Sequence, residues 1–306
     1  MRKACTITLL AVLSISLTLL LSCEQANNHK DSEMVALVDS VSSADGVNIV
    51  YEVNGPKNSD LTLVFIHCWS CDRSYWRNQA PVFSRTYKVV TIDLAGHGQS
   101  ALGRGEYSMV AYGTDVATVV NKLGLTNVVL IGHSMGGSVI TTAAKQLPGK
   151  VVALVGVDTF DRFGIPIPAG NIEGYIGALR TQFSETTKAF VGSIIGPKAD
   201  SSLRQWIIED MSGGDPTVGA ESMLGIINYA YSDQVINDLK EVNLPLYLIN
   251  SPSNTAQLDN VRGAVPKLEV IVQDSALHFG HMTLVDEFNK DLQEVLDDIK
   301  SGQESH

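Results

Sequence analysis

The sequence predicts an α/β fold: a mostly parallel, doubly wound sheet with a helical lid inserted between two of its strands. Three observations carry this. Short apolar runs recur along the chain, each closing on polar or glycine-rich residues, and amphipathic helical stretches separate them. One long segment, 160–240, holds helical pieces and no buried-strand run. With 306 residues, of which 44% are hydrophobic, the chain is long enough to bury one large core without covalent staples.

At the start, Arg2 and Lys3 precede an uncharged run from Ala4 to Ser22, which reads as a signal peptide over 1–22. Its end, "LLSC", resembles a bacterial lipobox. That resemblance implies that Cys23 is lipidated, becomes the new N-terminus and anchors the protein to a membrane of the bacterial cell envelope. The polar, aperiodic stretch that follows makes 23–34 a lipidated N-terminus and tether. The folded core is expected over 35–159 and 241–301, interrupted by the lid at 160–240.

Within the core, "GVNIVYEVNG" (46–55) alternates as an edge hairpin strand does. The runs "LTLVFIHCW" (61–69), "YKVVTIDLAG" (87–96), "NVVLIG" (127–132), "VVALVGVD" (151–158), "LPLYLIN" (244–250) and "LEVIVQD" (268–274) read as buried strands. An open parallel sheet places its site beyond the carboxyl ends of such strands. Between them, the helix 109–124 aligns Val116, Val119, Val120 and Leu123 and stops at Gly124. The last helix aligns Leu284, Phe288, Leu292, Val295 and Ile299. Trp206, Met211, Met223 and Tyr229 give the lid segment apolar bulk, suited to covering the sheet's carboxyl end.

Charge narrows the partners. There are 22 basic and 33 acidic residues, a net charge of -11, and no basic run, so nucleic acid has no electrostatic footprint here. A small, neutral or weakly charged molecule fits better. With Cys5 removed and Cys23 lipidated, Cys68 and Cys71 of "CWSC" remain as structural cysteines, and a local disulfide is open to them in an oxidising compartment. A zinc site needs two further ligands at suitable spacing, and none is evident. The glycines lie in 132–137 and in the 94–105 loop rather than in a phosphate-binding pattern, so neither metal nor cofactor is expected.

The chemistry centres on "GHSMG" (132–136), where a strand runs into a helix through a glycine-flanked serine. Glycines two residues either side remove Cβ atoms that would clash in a tight turn, and the turn pushes the Ser134 hydroxyl out of the backbone. With these motifs in place, nearly the whole mature chain resembles the α/β-hydrolase family. The resemblance implies a sheet of the α/β-hydrolase type and Ser134 as the nucleophile of the elbow. It implies His278, in "DSALHFGHMTLVDEF", as general base, with His281 the rival; His97 in "DLAGHGQS" and His133 are then structural or cleft-wall residues. The backbone amides of Met135 and Trp69 are the expected oxyanion donors, with Cys68 standing where the family carries glycine. The acid is expected at Asp158, closing the strand 151–158. Asp259 is the alternative, in the loop "INSPSNTAQLDN", where Asn254 occupies the position commonest for aspartate.

The implied activity is hydrolysis of a carboxylic ester, or of a lactone or thioester, through an acyl-serine intermediate. Its partner is a small-molecule acyl substrate. Two alternatives stand beside it. The same triad can pass the acyl group to an acceptor other than water, or form peracids as perhydrolase-like relatives do; or the fold persists as a catalytically silent binding protein.

Overall fold

The computed structural model describes residues 37–304. The expected signal peptide, the expected lipidation site Cys23, the expected tether and the expected domain start near Val35 lie outside the described residues. Eight strands form one sheet: β1 (Leu37–Ser42), β2 (Asn48–Asn54), β3 (Thr62–Ile66), β4 (Lys88–Ile92), β5 (Val128–His133), β6 (Val151–Val157), β7 (Leu246–Asn250) and β8 (Leu268–Val272). Their spatial order is β1-β2-β4-β3-β5-β6-β7-β8. The two pairs that involve β2 are antiparallel, and every pair from β4 to β8 is parallel.

The fold class matches the expectation, with one strand added. The sequence predicts 46–55 as the edge, but β1 lies outside β2 and takes that place. Its residues, LVDSVS, are exposed or half-buried throughout, so no apolar alternation marks them.

Why the sheet is doubly wound is visible in β3. Leu63 and Phe65 face a core layer that contains Phe288, Leu292, Val295 and Ile299 of the last helix. Val64 and Ile66 face the opposite layer, with Val116, Val119 and Val120. Successive side chains of a strand point to opposite faces, so a continuous apolar run supplies both layers at once.

The longer helices are α1 (Met109–Lys122), α2 (Met135–Lys145), α3 (Ala169–Thr181), α4 (Phe183–Ile194), α5 (Ser201–Ser212), α6 (Pro216–Ala230), α7 (Asp233–Val242) and α8 (Val285–Glu304). Capping sets several of their starts: Ser108 accepts from the amide of Ala111, Asp200 from Leu203, and Asp215 from Thr217 and Val218. Helices α3 to α7 form the insertion between β6 and β7. Of these, α7 belongs to the layer against the sheet: Lys145 of α2 pairs with its Asp238 at 2.8 Å, and Asp238 also accepts from Tyr229 at 2.9 Å.

Aromatic contacts fix the rest of the insertion to the core. Trp206 of α5 stacks under the Arg77 guanidinium, 4.0 Å away, and lies 4.8 Å from the Tyr75 ring. The indole of Trp69 donates to the Gly219 carbonyl of α6 at 2.7 Å. Among the described residues no helix is long and apolar enough to cross a membrane.

Candidate active site

The turn from β5 into α2 forces Ser134 to φ 54°, ψ -112°, a conformation that L-residues avoid. Its neighbours explain how the turn is held. A Cβ on Gly132 would run into the Gly136 carbonyl, and one on Gly136 would lie 2.8 Å from the Ile66 carbonyl. The Ser134 amide donates to Val157 of β6 at 3.0 Å, and the Thr159 hydroxyl donates to the Ser134 carbonyl at 2.8 Å. The strained residue is thus pinned from the adjacent strand.

Asp158 follows β6 directly, also in the left-handed region at φ 46°, and is 5% exposed. One carboxylate oxygen accepts from the amide and the hydroxyl of Ser251, at 2.8 and 2.6 Å. The other accepts from Asn254 Nδ2 at 2.5 Å and from His278 Nδ1 at 2.7 Å. Burial alone would raise the pKa of this carboxyl; the His278 hydrogen bond and charge, with the two Ser251 donors, outweigh it and hold the pKa below the ordinary value. Asn250, at the end of β7, braces the surroundings by bonding Thr159 in both directions and the Asn254 carbonyl.

With the Nδ1 proton of His278 directed at Asp158, the Nε2 of the neutral ring is left as an acceptor. His278 is half-buried and lines the same cavity as Ser134. Its backbone is tied twice: its amide donates to the Ile194 carbonyl of α4 at 3.2 Å, and its carbonyl accepts from His133 Nε2 at 2.7 Å.

The other histidines lie apart from the carboxylate. His281 is fully buried, 4.5 Å from the His133 ring, and burial pushes its pKa down to about 3. His97 donates from Nδ1 to the Ala95 carbonyl, and burial likewise takes it to about 3. Asp259, the alternative candidate for the acid, lies away from His278. It is exposed at the head of the short helix Asp259–Arg262 and outside the cavity, while Asp158 already occupies His278 Nδ1.

Beyond β3, the chain makes the turn Cys68-Trp69-Ser70-Cys71, closed by a disulfide between its two cysteines. Cys68 itself is not in the left-handed region, so its Cβ brings no backbone strain; Ser70 is, at φ 52°. His67 Nε2 accepts from the Leu94 amide at 3.0 Å, so its Nδ1 carries the proton and donates to the Cys68 carbonyl at 2.8 Å. Burial pushes the His67 pKa down to about 4, which keeps the ring in that neutral tautomer. Trp69 and Met135 both line the cavity, and among the described residues neither backbone N–H donates a hydrogen bond. Two unspent donors therefore sit beside Ser134.

The cavity measures about 490 Å³. Phe160 and Phe163 close it near the sheet, and Phe190, Met211 and Met223 line it from the insertion. Among the described residues no group of three or more His, Cys, Asp or Glu side chains is placed to hold a metal ion.

Sequence reasoning missed the supporting residues Ser251 and Asn250 and the bonds that His67 and His133 make. Only their position at strand ends marked them, since small polar residues there have many other uses.

A family profile described as alpha/beta hydrolase fold matches residues 62–283. The chain is 26% identical over 259 residues to a non-heme chloroperoxidase of Streptomyces lividans, covering 78% of this chain and 89% of that protein. It is 25% identical over 206 residues to a pimeloyl-[acyl-carrier protein] methyl ester esterase of Sodalis glossinidius, covering 65% and 77%. Among solved structures, a bromoperoxidase from Bacillus anthracis superposes with a TM-score of 0.74 at 20% identity, over 86% of this chain and all of that one.

Proposed function

We propose, because this chain belongs to the alpha/beta hydrolase family and is a hydrolase, that it cleaves carboxylic esters through an acyl-serine intermediate. The observation that carries the reading is the 2.7 Å contact between His278 Nδ1 and Asp158, formed at the cavity that also holds the strained Ser134. Ser134 attacks the ester carbonyl while His278 Nε2 takes its proton. Asp158 keeps the ring in the required tautomer and stabilises the imidazolium. The N–H groups of Met135 and Trp69 bind the oxyanion, each contributing about 3 kcal/mol to the barrier reduction. His278 returns the proton to the leaving alcohol, then activates the water that releases the acid. The helical insertion serves as a lid whose apolar wall takes the hydrophobic part of the substrate.

A graded series of p-nitrophenyl esters, acetate to palmitate, tests this beside Ser134→Ala and His278→Ala, together with fluorophosphonate labelling. Serine-dependent turnover supports the reading. No turnover and no labelling would turn the chain into a binding protein on a hydrolase fold.

A second reading has support from the relative named a non-heme chloroperoxidase. Hydrogen peroxide in place of water would attack the acyl-serine and release a peracid. Peroxide-dependent bromination assayed in acetate buffer, and its loss in Ser134→Ala, separates this from simple hydrolysis.

We also propose that the chain acts at the cell envelope as a lipoprotein, on the strength of Arg2, Lys3, the uncharged run and Cys23. Palmitate incorporation that disappears in Cys23→Ser supports it; a soluble, unlabelled parent protein removes it.

A further inference from the structure

We infer that the Cys68–Cys71 disulfide is a positioning element of the oxyanion site, so that turnover depends on the redox state of this pair. The inference rests on the serine hydrolase reading above and goes beyond it.

The peptide unit joining Cys68 to Trp69 is planar and trans, so its C=O and N–H point in opposite directions. The carbonyl is held by His67 Nδ1 at 2.8 Å and by the Cys71 amide at 3.2 Å. Whatever holds that carbonyl therefore aims the Trp69 N–H, and this N–H has no partner among the described residues. Of the carbonyl's two donors, one belongs to Cys71, and the disulfide ties Cys71 to Cys68 itself across 5.4 Å between Cα atoms.

The turn needs that tie. Ser70 sits at φ 52°, a conformation that costs a non-glycine residue about 1 kcal/mol or more, so a free chain would relax away from it. The Trp69 indole cannot substitute for the bridge, because its bond to Gly219 fixes the side chain to the insertion and leaves the peptide plane free to rotate. Where the resembling family carries glycine, this chain thus carries a cross-link.

The bridge also stands between two cavities. Cys68 lines the cavity of Ser134, whereas Cys71 lines a second one of about 530 Å³ with Asp72, His97 and Asp210. A small dithiol would approach Cys71, itself only 3% exposed, through that cavity. One of its thiolates attacks Cys71 Sγ, the S–S bond breaks, and Cys68 leaves as a thiolate that takes up a proton. The second thiol of the reductant then displaces Cys71 as it closes its own disulfide, so two electrons pass from the dithiol to the protein pair.

The experiment uses the purified full chain, oxidised, reduced with dithiothreitol and desalted, and reoxidised, with thiols counted in each state. Far-UV circular dichroism and Tm are recorded alongside kcat and KM on p-nitrophenyl acetate. The expected result is a fall in kcat of about tenfold on reduction, with KM within twofold, an unchanged far-UV spectrum, and recovery on reoxidation. Cys68→Ala/Cys71→Ala should reproduce the reduced rate. A lowered Tm with unchanged kcat would make the bridge merely structural and overturn the inference, as would free thiols located at Cys68 and Cys71 themselves, by alkylation and peptide mapping, in the native protein. Should the double variant not fold, the reduction arm decides by itself. Turnover absent even in the oxidised chain, with no fluorophosphonate labelling, condemns the hydrolase reading instead; turnover present but insensitive to reduction condemns this inference alone.

Discussion

Asn254 donates its side-chain amide to Asp158 at 2.5 Å, on the same carboxylate oxygen that receives His278. The loop after β7, where an aspartate is the commoner resident by resemblance, thus serves a carboxylate delivered by the neighbouring strand. An amide there donates to the carboxylate without adding a second negative charge.

Asp158→Asn should lower kcat about 10³- to 10⁴-fold with little change in KM, because the imidazole loses its tautomer and the charge that stabilises its protonated form. Asp259→Asn should leave both parameters within twofold. Steady-state kinetics on one p-nitrophenyl ester compares them directly, and an equal loss in both would reopen the choice of acid.

Asn254→Ala should raise the Asp158 pKa, since a donor to the charged form is gone. Asp158 would then take up its proton at a higher pH, and activity at the acid end of the profile would fall earlier. Stability should fall by about 1–3 kcal/mol, because the buried carboxylate oxygen is left with one donor fewer. A pH profile from 4 to 8 and a urea titration read the two effects separately.

Acid should unfold this protein steeply. His67, His97, His133 and His281 are buried and their folded pKa values are depressed, to about 4 for His67 and about 3 for His97 and His281. The unfolded chain binds protons at these rings below about pH 6.5 and the folded chain does not, so their stabilisation is complete above pH 6.5. It is lost as pH falls toward 4 and then 3, each ring removing at most about 1.4 kcal/mol per pH unit. Urea unfolding at pH 7, 6 and 5 measures the slope. A His281→Gln variant should show a shallower one, and an unaltered slope would place the acid sensitivity elsewhere.

Phe190 reaches the cavity from α4 and packs edge-on against Trp69, with ring centroids 6.1 Å apart. Phe190→Ala should lengthen the pocket and move the best p-nitrophenyl ester toward longer acyl chains. The insertion is expected to lose about 1–3 kcal/mol of packing, since this ring is only half-buried. Relative kcat/KM across acetate, butyrate, octanoate and palmitate tests it; an unmoved optimum would exclude this wall from chain-length choice.

Much of the fold was legible because β3 to β7 are covered on both faces and therefore read as unbroken apolar runs. β1 was not, since an exposed edge imposes no pattern on LVDSVS. Ser134 stood out through its glycines, whose spacing the strained turn demands. The acid was harder to read: Asp158 and Asp259 are both aspartates near strand ends, and only the folded chain shows which one meets the imidazole. Ser251 and His67 carried no signal beyond their places at strand ends. Their contributions depend on the direction of one hydroxyl and one ring nitrogen, and those directions arise from packing between segments far apart in the sequence.

The bond from the His278 amide to the Ile194 carbonyl reaches beyond anchoring. In the proposed esterase, an acyl chain that pushes α4 aside would take with it the carbonyl that steadies the His278 loop. Oversized substrates would then be penalised in turnover even where their apolar surface favours binding. The enzyme would discriminate by rejecting misfits after they arrive, a form of selectivity that affinity measurements alone would overlook.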